Sequence, residues 1–299
     1  MVSGKFCVNF QNKHNLILFC ADTCRGESFR RAFSRLSEVR SIIPSSVKLM
    51  ALTATATTNT RKSVCRILGM VQPSIVALSP NRVNIHYSVH KKEATIEETF
   101  SELVNELREK RLQTPRTVIF CRSYEDVGYI YSFITHSLGA KCVEPIGAPN
   151  IACFRLVDMF TACTEQKVKD VIICNFTQKE AHLRVVIATV AFGMGLDSPN
   201  IRRIIHWGAP ADIEGYIPET GRAGRDGEQS LAKLYYAPVN LHPWYTEESM
   251  RLYCLNNETC RRQVLLQNFD VDDEVVSPSS LCRCCDVCAK TCNCDVCAI

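Results

Sequence analysis

The sequence lacks the long apolar segment that a membrane span requires. No run of eighteen consecutive apolar residues occurs among its 299 residues, so the sequence predicts no transmembrane helix. The first twenty residues also lack the apolar core of a secretory signal peptide, because Lys5, Lys13, His14 and several amide side chains interrupt them. We therefore expect a protein that is not secreted.

The net charge is small, and glycine is not abundant. The formal net charge is only +4 at pH 7, which permits nucleic acid as a partner without arguing for it. The chain has 13 glycines and is not glycine-rich, and its apolar share of 46% is enough to build a core. Its length is typical of about two domains.

Cysteine, by contrast, is abundant. Eleven of the 18 cysteines are scattered between Cys7 and Cys260, mostly inside apolar runs, where they are interpreted as small buried hydrophobic residues. The other seven fall within the last eighteen residues. Because no export signal accompanies them, this crowding indicates metal binding more than disulfide formation.

Short apolar runs alternate with segments of helical periodicity along most of the chain. Helical spacing is found at 59–69, at 93–111 and in the segment that ends at Leu138. The runs typical of strands are LILFCA, VKLMAL, IVAL, NIHYSV, TVIFC, RVVIAT and RRIIHW. This alternation predicts an α/β fold with a parallel sheet, in which ligands bind where strands lead into loops.

The composition of the chain changes after Pro238. Two short segments with helical spacing, 246–256 and 258–269, lead through an acidic stretch at 270–280 to the cysteine-rich end. We therefore expect a domain boundary near residue 238.

Two arginines, Arg222 and Arg225, stand between three glycines in the stretch PETGRAGRDGE at 218–228. Glycine lets a backbone approach a ligand closely, and guanidinium groups match phosphate oxygens in pairs. These residues alone leave two interpretations open. The stretch is either a solvated basic loop or a source of arginine fingers for a γ-phosphate.

Four segments of the sequence decide between these interpretations when they are taken together. In chain order they are MALTATAT (50–57), TVIFCRS (117–123), VVIATVAFGMGLD (185–197) and ETGRAGRDG (219–227). They resemble motifs III, IV, V and VI of superfamily 2 helicases, most closely the RecQ family of DNA helicases, over roughly residues 16–290.

The resemblance implies a fold and a division into domains. Residues 1–80 would form part of a first RecA-like lobe, 81–237 a whole second RecA-like lobe, and 238–299 a small helical zinc-binding domain. The implied activity is ATP-dependent 3′–5′ unwinding of DNA in repair and recombination. The implied location is the nucleus.

DNA is the partner that the resemblance implies, bound without regard to its sequence. Thr53, Ala54 and Thr55 would couple the state of the nucleotide to DNA. Ser123 and Thr189 would lie along the DNA backbone, where hydroxyl groups and nearby backbone N–H groups meet phosphates.

ATP and Mg²⁺ are the cofactors that the resemblance implies. Gly195 and Asp197 would lie beside the nucleotide. Arg222 and Arg225 would face the γ-phosphate and act in catalysis.

A structural zinc ion is predicted from Cys260, Cys282, Cys285 and Cys288. Four thiolates suit a closed tetrahedral zinc site, and the RecQ family carries a similar arrangement. Here the gap between Cys260 and Cys282 is somewhat long, and Cys284 is an additional, competing thiol.

The last three cysteines of the chain are open to two interpretations. The tetrapeptide CDVC at 285–288 recurs at 294–297. A second metal site and a reactive tail both fit the pattern, and the tail is the preferred interpretation. The three residues are Cys292, Cys294 and Cys297.

The sequence departs from the helicase pattern in three places. It contains no G-x-x-x-x-G-K-[ST] phosphate loop. The strand that ends near Asp22 lacks the glutamate and histidine that follow the aspartate in the family. Pro218 stands where the family usually has a glutamine that contacts the nucleotide, and proline has neither a side-chain amide nor an N–H. We therefore expect that this chain alone does not hydrolyse ATP.

Two other functions remain open from the sequence. One is a non-catalytic zinc- and DNA-binding module derived from a helicase. The other is a cysteine-rich metal-buffering protein, which the ordered helicase motifs argue against.

Overall fold

Two compact units make up the computed structural model of the chain. One unit consists of residues 1–80 with 266–273, and the other of residues 81–265 with 274–299. The structure describes residues 8–9, 16–20, 38, 41–42, 48–53, 55–92, 95–178, 180–189, 192, 198, 200–269 and 281–294.

The first unit contains a three-stranded sheet and a helix. Its strands are β1 (Val8–Asn9), β2 (Leu16–Cys20) and β3 (Lys48–Leu52), with β2 in the centre, antiparallel to β1 and parallel to β3. Helix α1 (Thr58–Ile67) begins where the Thr57 hydroxyl accepts a hydrogen bond from the N–H of Thr60, at 3.2 Å. A side chain in this position satisfies one of the unpaired donors at a helix start.

The second unit is built on a six-stranded sheet in which every pair of neighbours is parallel. The order across the sheet is β4-β9-β8-β5-β7-β6. The strands are β4 (Ile85–Lys91), β5 (Arg116–Cys121), β6 (Val157–Phe160), β7 (Val185–Ala188), β8 (Ile201–Trp207) and β9 (Ser230–Tyr236). The parallel α/β sheet predicted from the sequence is therefore confirmed.

Helices cover this sheet and close its core. Phe100 and Leu107 of α2 pack with Ile130 and Ile134 of α3 in one buried cluster, to which the central strand β5 contributes Ile119. The four helices are α2 (Ile96–Lys110), α3 (Tyr124–Leu138), α4 (Gln166–Thr177) and α5 (Ile213–Thr220).

The start of α2 and the end of α3 follow local sequence signals. At the start of α2, Thr95 and Glu98 form a reciprocal capping box. At the end of α3, Gly139 takes a φ of +54°, a conformation that side-chain-bearing residues seldom adopt.

Residues 238–265 and 281–294 pack in the same compact unit as the six-stranded sheet, whereas 266–269 are assigned to the first unit. They form a 3₁₀ turn (Pro238–Leu241) and helices α6 (Glu248–Leu255), α7 (Arg261–Leu266) and α8 (Asp286–Ala289). The separate domain from residue 238 onward stays a prediction.

The cysteine segment, residues 281–294, supplies partners for an edge of the sheet. Strand β4 lies at that edge, and its outer N–H groups need acceptors. The N–H of Tyr87 donates to the carbonyl of Cys284 at 3.3 Å, and the N–H of Val89 donates to the Asp286 carboxylate at 3.1 Å. Pairing with the edge strand holds this segment against the six-stranded sheet.

No helix among the residues that the structure describes is both long enough and apolar enough to cross a membrane.

Candidate functional site

The arginine loop, residues 221–229, follows directly from the end of α5. Pro218 lies inside that helix, and the backbone N–H of Gly221 closes its last turn by donating to Ile217 at 2.8 Å. The side chain of Arg222 is half-buried and that of Arg225 is exposed. Burial, and secondarily the nearby charge of Arg225, lower the pKa of the Arg222 guanidinium.

Gly224 fixes the shape of this loop. Its φ is +57°, and a Cβ at this position would lie 2.6 Å from the carbonyl oxygen of Glu228 and 2.4 Å from the Asn84 amide. Its own N–H donates to the carbonyl of Ile201 at 2.9 Å. The loop is thereby anchored to the first residue of β8.

Two side chains that precede β4 hold the arginine loop from the other side. Arg82 donates to the carbonyls of Gly221 at 3.3 Å and Gly224 at 2.7 Å. Asn84 donates to the carbonyls of Gly224 and Glu228, each at 2.8 Å. Because four donor contacts converge on backbone acceptors, the loop is held independently of the side chains of its own arginines.

Arg262 supports the segment that carries Arg82 and Asn84. It is 1% exposed, and its guanidinium donates to the carbonyls of Arg82 at 2.6 Å and Ile85 at 2.7 Å and to the side chain of Asn81 at 2.7 Å. A buried guanidinium is stable only when its donors are satisfied. The helix that starts after Cys260 is therefore linked through residues 81–85 to the arginine loop.

A buried histidine and glutamate pair lies under the start of the loop. Nε2 of His206, on β8, lies 2.9 Å from Oε2 of Glu219, on α5. Both side chains are buried, and the ring of Tyr216 lies 5.0 Å from that of His206. The pair fixes the last turn of α5, and with it the direction in which the loop leaves the helix.

Ser123 and Thr189, the predicted DNA contacts of the second lobe, lie at the opposite ends of the strands from the arginine loop. Thr189 directly follows β7, and Ser123 comes two residues after β5. Because β5 and β7 are parallel neighbours, both residues lie where the strands end, at the carboxyl edge of the sheet. The arginine loop lies at the amino edge, beside the start of β8.

The two DNA-contact candidates differ in accessibility. The Ser123 hydroxyl caps α3, accepting from the N–H of Asp126 at 3.0 Å and contacting its carboxylate at 2.8 Å. Thr189 is 9% exposed. The strand ends bring the two residues to one edge, but in this conformation Ser123 is already hydrogen-bonded within the protein.

Three predicted residues lie outside the described part of the chain. Gly195 and Asp197 belong to the connection between β7 and β8, and Ala54 to the turn after β3. In the first unit, Thr53 and Thr55 follow β3 and line a cavity of about 500 Å³. The Thr53 hydroxyl donates to the carbonyl of Thr55 at 2.8 Å.

The first cysteine cluster consists of Cys260, Cys284, Cys285 and Cys288. Their four sulfur atoms all lie within 4.8 Å of one another. Around a zinc ion with zinc–sulfur bonds of about 2.3 Å, tetrahedral sulfurs lie about 3.8 Å apart, so this set fits the ion. Hydrogen bonds from Cys260, and then from Cys284, lower the pKa of the Cys285 thiol. In the same cluster, hydrogen bonds to Cys260 and Cys285 raise the pKa of the Cys284 thiol, so its neighbours stabilise the charge at one sulfur, Cys285.

The cysteines that lie together differ from the predicted zinc ligands at one position. Cys284 takes the place expected for Cys282 in the first cluster. The reason is the pairing with β4, which holds the backbone of Cys284 against Tyr87. The sulfur of Cys282 lies instead in a second cysteine cluster with Cys292 and Cys294.

An ion pair beside the first cluster joins the two chain segments that carry its cysteines. Arg261, next to Cys260, meets the carboxylate of Asp286 with its Nε at 2.8 Å and its second nitrogen at 3.0 Å. Asp286 lies between Cys285 and Cys288, so one two-pronged contact joins both parts of the cluster. Arg261 and Asp286 stand directly beside cysteines in the sequence, a signal for this ion pair that cysteine spacing alone does not carry.

Comparison with known proteins places these motifs in a family. The protein family described as "Helicase conserved C-terminal domain" matches residues 98–227. These include Ser123, Thr189 and the arginine pair. The chain is 31% identical over 290 residues to the bifunctional 3′-5′ exonuclease/ATP-dependent helicase WRN of Mus musculus, covering 90% of this chain and 19% of that protein.

Two further relatives agree with this match. Identity is 31% to ATP-dependent DNA helicase Q1 of Mus musculus, over 89% of this chain and 39% of the relative. It is 29% to ATP-dependent DNA helicase RecQ of Pasteurella multocida, over 88% of this chain and 39% of the relative. The chain thus spans less than half the length of each of these relatives.

A solved structure shares the fold. The Saccharomyces cerevisiae protein Dbp5, bound to RNA and ADP BeF3, superposes with a TM-score of 0.56 at 18% identity, over 88% of this chain and 59% of that one. This likeness shows the fold alone. The helicase domain match and the relatives at about 30% identity support the assignment of this chain to the RecQ family of superfamily 2 helicases.

Proposed function

We propose that this chain supplies the second motor lobe of an ATP-dependent 3′–5′ DNA helicase that acts in repair and recombination in the nucleus. The observation that carries the proposal is the placement of two sets of motif residues on one parallel sheet. Arg222 and Arg225 lie at the amino edge, and Ser123 and Thr189 lie at the carboxyl edge. A motor needs both a nucleotide-sensing and a DNA-contacting surface on the same rigid body.

The arginine pair suits a phosphate ligand. Two guanidinium groups on one loop bring like charges together, and an anion between them relieves their repulsion. In phosphoryl transfer such groups stabilise the charge that develops on the γ-phosphate. Anchoring by Arg82, Asn84 and Gly224 supports this role, because a catalytic charge must be held in place before the reaction.

The carboxyl edge suits the sugar–phosphate backbone of DNA. Serine and threonine hydroxyls and the N–H groups that start α3 are donors to phosphate oxygens. Contacts of this kind carry no sequence information. The chain should therefore bind single-stranded or partly duplex DNA without sequence preference.

Zinc in the first cysteine cluster would have a structural role. Cys260, Cys284, Cys285 and Cys288 would hold the ion, which supplies a cross-link between α7 and the cysteine segment. Arg262 follows Cys260 by two residues and supports residues 81–85, so the cross-link would also stabilise the anchor of the arginine loop. Removal of zinc should unfold the residues after 238, since structural zinc contributes on the order of 10 kcal/mol.

We also propose that this chain alone does not turn over ATP. Its sequence has no phosphate loop, and the charge of arginine fingers is useful only where a γ-phosphate is presented to them. The test is an ATPase assay with single-stranded DNA. Turnover that disappears in Arg225→Ala would contradict the proposal, whereas turnover that persists in that variant would identify a contaminating enzyme and leave the expected zero for this chain.

A DNA-binding titration distinguishes a helicase lobe from a dedicated DNA-binding module. The missing phosphate loop is the feature that favours this alternative. Labelled single-stranded DNA of two unrelated sequences is titrated at two salt concentrations. A helicase lobe should bind both sequences equally and weakly, with an affinity that falls steeply as salt rises. Tight binding that survives high salt, or preference for one sequence, would support the module instead.

A further inference from the structure

The cysteine segment gathers a second group of thiols that the first cluster does not use. The sulfur atoms of Cys282, Cys292 and Cys294 lie within 4.8 Å of one another, and those of Cys282 and Cys294 are 3.5 Å apart. No sulfur is shared between the two groups. All three residues are half-buried, whereas Cys284 and Cys285 of the first cluster are 2% and 0% exposed.

The backbone brings these three residues together through a short turn. After α8, the N–H groups of Lys290, Thr291 and Cys292 donate back to residues 287, 288 and 289 at 3.2–3.3 Å. This continued winding returns the chain toward the 3₁₀ turn Leu281–Arg283, which carries Cys282. The second cluster is therefore formed by the fold of the segment and not by a chance approach of distant residues.

We propose that Cys282, Cys292 and Cys294 bind a second zinc ion. Three thiolates in one place repel one another unless a cation lies between them, and soft thiolate sulfur selects a soft metal ion such as zinc. Zinc prefers four ligands, so a three-cysteine site leaves one position for water or another donor. On binding, the three thiols lose their protons and form three sulfur–zinc bonds, with no change of oxidation state.

The number and exposure of the ligands predict how the two ions differ. The first cluster offers four thiolates, two of them buried, and the second offers three that are half-buried. The second zinc should therefore be bound more weakly and should be the first to leave. Its loss should not unfold the unit, because the contacts to β4 are made by Cys284 and Asp286.

The experiment is elemental analysis of the purified full chain, prepared with zinc and under reducing conditions. We expect two zinc ions per chain in the wild type and one in the double variant Cys292→Ser, Cys294→Ser. The matched control is Cys153→Ser, Cys163→Ser, which removes two exposed thiols outside both clusters and should retain two. A wild-type ratio of one that is unchanged in the double variant, or a double variant that keeps two, overturns the proposal.

Two further measurements need no substitution. Stepwise chelation of the wild type should release one zinc with the circular dichroism spectrum unchanged and the second only with loss of structure. Release of both ions in a single step overturns the proposal. So does a disulfide between Cys282 and Cys294 in the intact chain, seen as a mass two daltons below that of the reduced protein. If only the second ion were found, the proposal of a structural zinc in the first cluster would be wrong, and the proposal of a zinc in the second cluster would hold.

Discussion

Gly224 shows how one residue can determine the position of two charges. Its positive φ turns the chain between Arg222 and Arg225, and its carbonyl accepts hydrogen bonds from both Arg82 and Asn84. A residue with a side chain would meet both a strained conformation and occupied space. The spacing of the glycines in the sequence points to the first requirement, and only the structure reveals the second.

Replacing Gly224 by alanine should destabilise the second unit more than the same change at Gly227. Both glycines have positive φ, +57° and +87°, but a Cβ on Gly227 meets nothing within 4 Å. We expect a loss of about 1–2 kcal/mol for Gly227→Ala from backbone strain alone, and on the order of 3 kcal/mol for Gly224→Ala. Denaturant unfolding measures both. Equal losses of unfolding free energy would show that the close contacts around Gly224 add no steric cost.

Asp226 should make stability weakly dependent on pH. Hydrogen bonds from Arg202, at 2.6 and 3.1 Å, lower the pKa of its carboxyl. A group whose pKa falls on folding stabilises the protein above its unfolded pKa of about 4 and loses that effect as the pH drops through the folded value.

Asp226→Asn tests this contribution and keeps the shape of the side chain. Because the pair is partly exposed and screened, the variant should lose less than about 1 kcal/mol at pH 7. The difference from the wild type should shrink below about pH 4. A difference that stays constant between pH 7 and pH 3 would mean that the charge of Asp226 is not its cause.

At the scale of elements, α7 connects the cysteine clusters to the arginine loop. Arg261 binds Asp286 between the cysteines, and Arg262 binds the residues that lead into β4. Two consecutive residues of one short helix thus point to two different parts of the unit. This connection explains why residues 238–265 and 281–294 form a single compact unit with the six-stranded sheet.

Arg262→Met should be strongly destabilising. Methionine fills a similar volume but leaves the carbonyls of Arg82 and Ile85 buried without this donor, at a cost of about 3 kcal/mol. Arg283→Met is the matched control, since Arg283 is exposed in the cysteine segment, and it should change stability by less than about 0.5 kcal/mol. Zinc content measured on both variants separates a lost donor from a lost metal. Similar stability for the two variants would refute the structural role of Arg262.

The sequence predicted most strands of the second unit, but not all. Continuous apolar runs identified β4, β5, β7 and β8. Strand β6 was missed because Asp158 interrupts it, and that carboxylate is buried against Arg155 at 3.2 Å. Strand β9 was missed because Lys233 interrupts the apolar residues of Ser230–Tyr236, although the strand lies between β4 and β8.

One predicted strand was wrong, and the anchors of the loop were not predicted. IVAL at 75–78 forms no strand, and Val76 in it is 94% exposed, because a short apolar run makes a strand only where a sheet edge can receive it. Arg82 lies more than 130 residues from the glycines that it contacts. Contacts at such separation leave no periodic signal in the sequence.

At the scale of the whole molecule, the second unit carries its two functional edges on opposite ends of the same strands. The connection from Thr189, in the stretch that resembles motif V, to Ile201, the first residue of β8, joins the carboxyl edge to the amino edge. We expect this connection to relate DNA contact to nucleotide contact in a complete motor. The length of the strands sets the separation of the two edges.

The most direct test of the account is DNA binding by two variants at Ser123. Aspartate and asparagine both cap helices well, so Ser123→Asp and Ser123→Asn should both keep α3. The aspartate gives up the hydroxyl's 2.8 Å hydrogen bond to Asp126 and faces that carboxylate, so circular dichroism on both variants accompanies the titration. The aspartate places a negative charge at the carboxyl edge and the asparagine does not. In titrations of labelled single-stranded DNA at low salt, Ser123→Asp should lose on the order of fivefold or more in affinity through phosphate repulsion, while Ser123→Asn stays within about twofold of the wild type. Equal affinity for the two variants, with both folded, would contradict the placement of DNA at this edge.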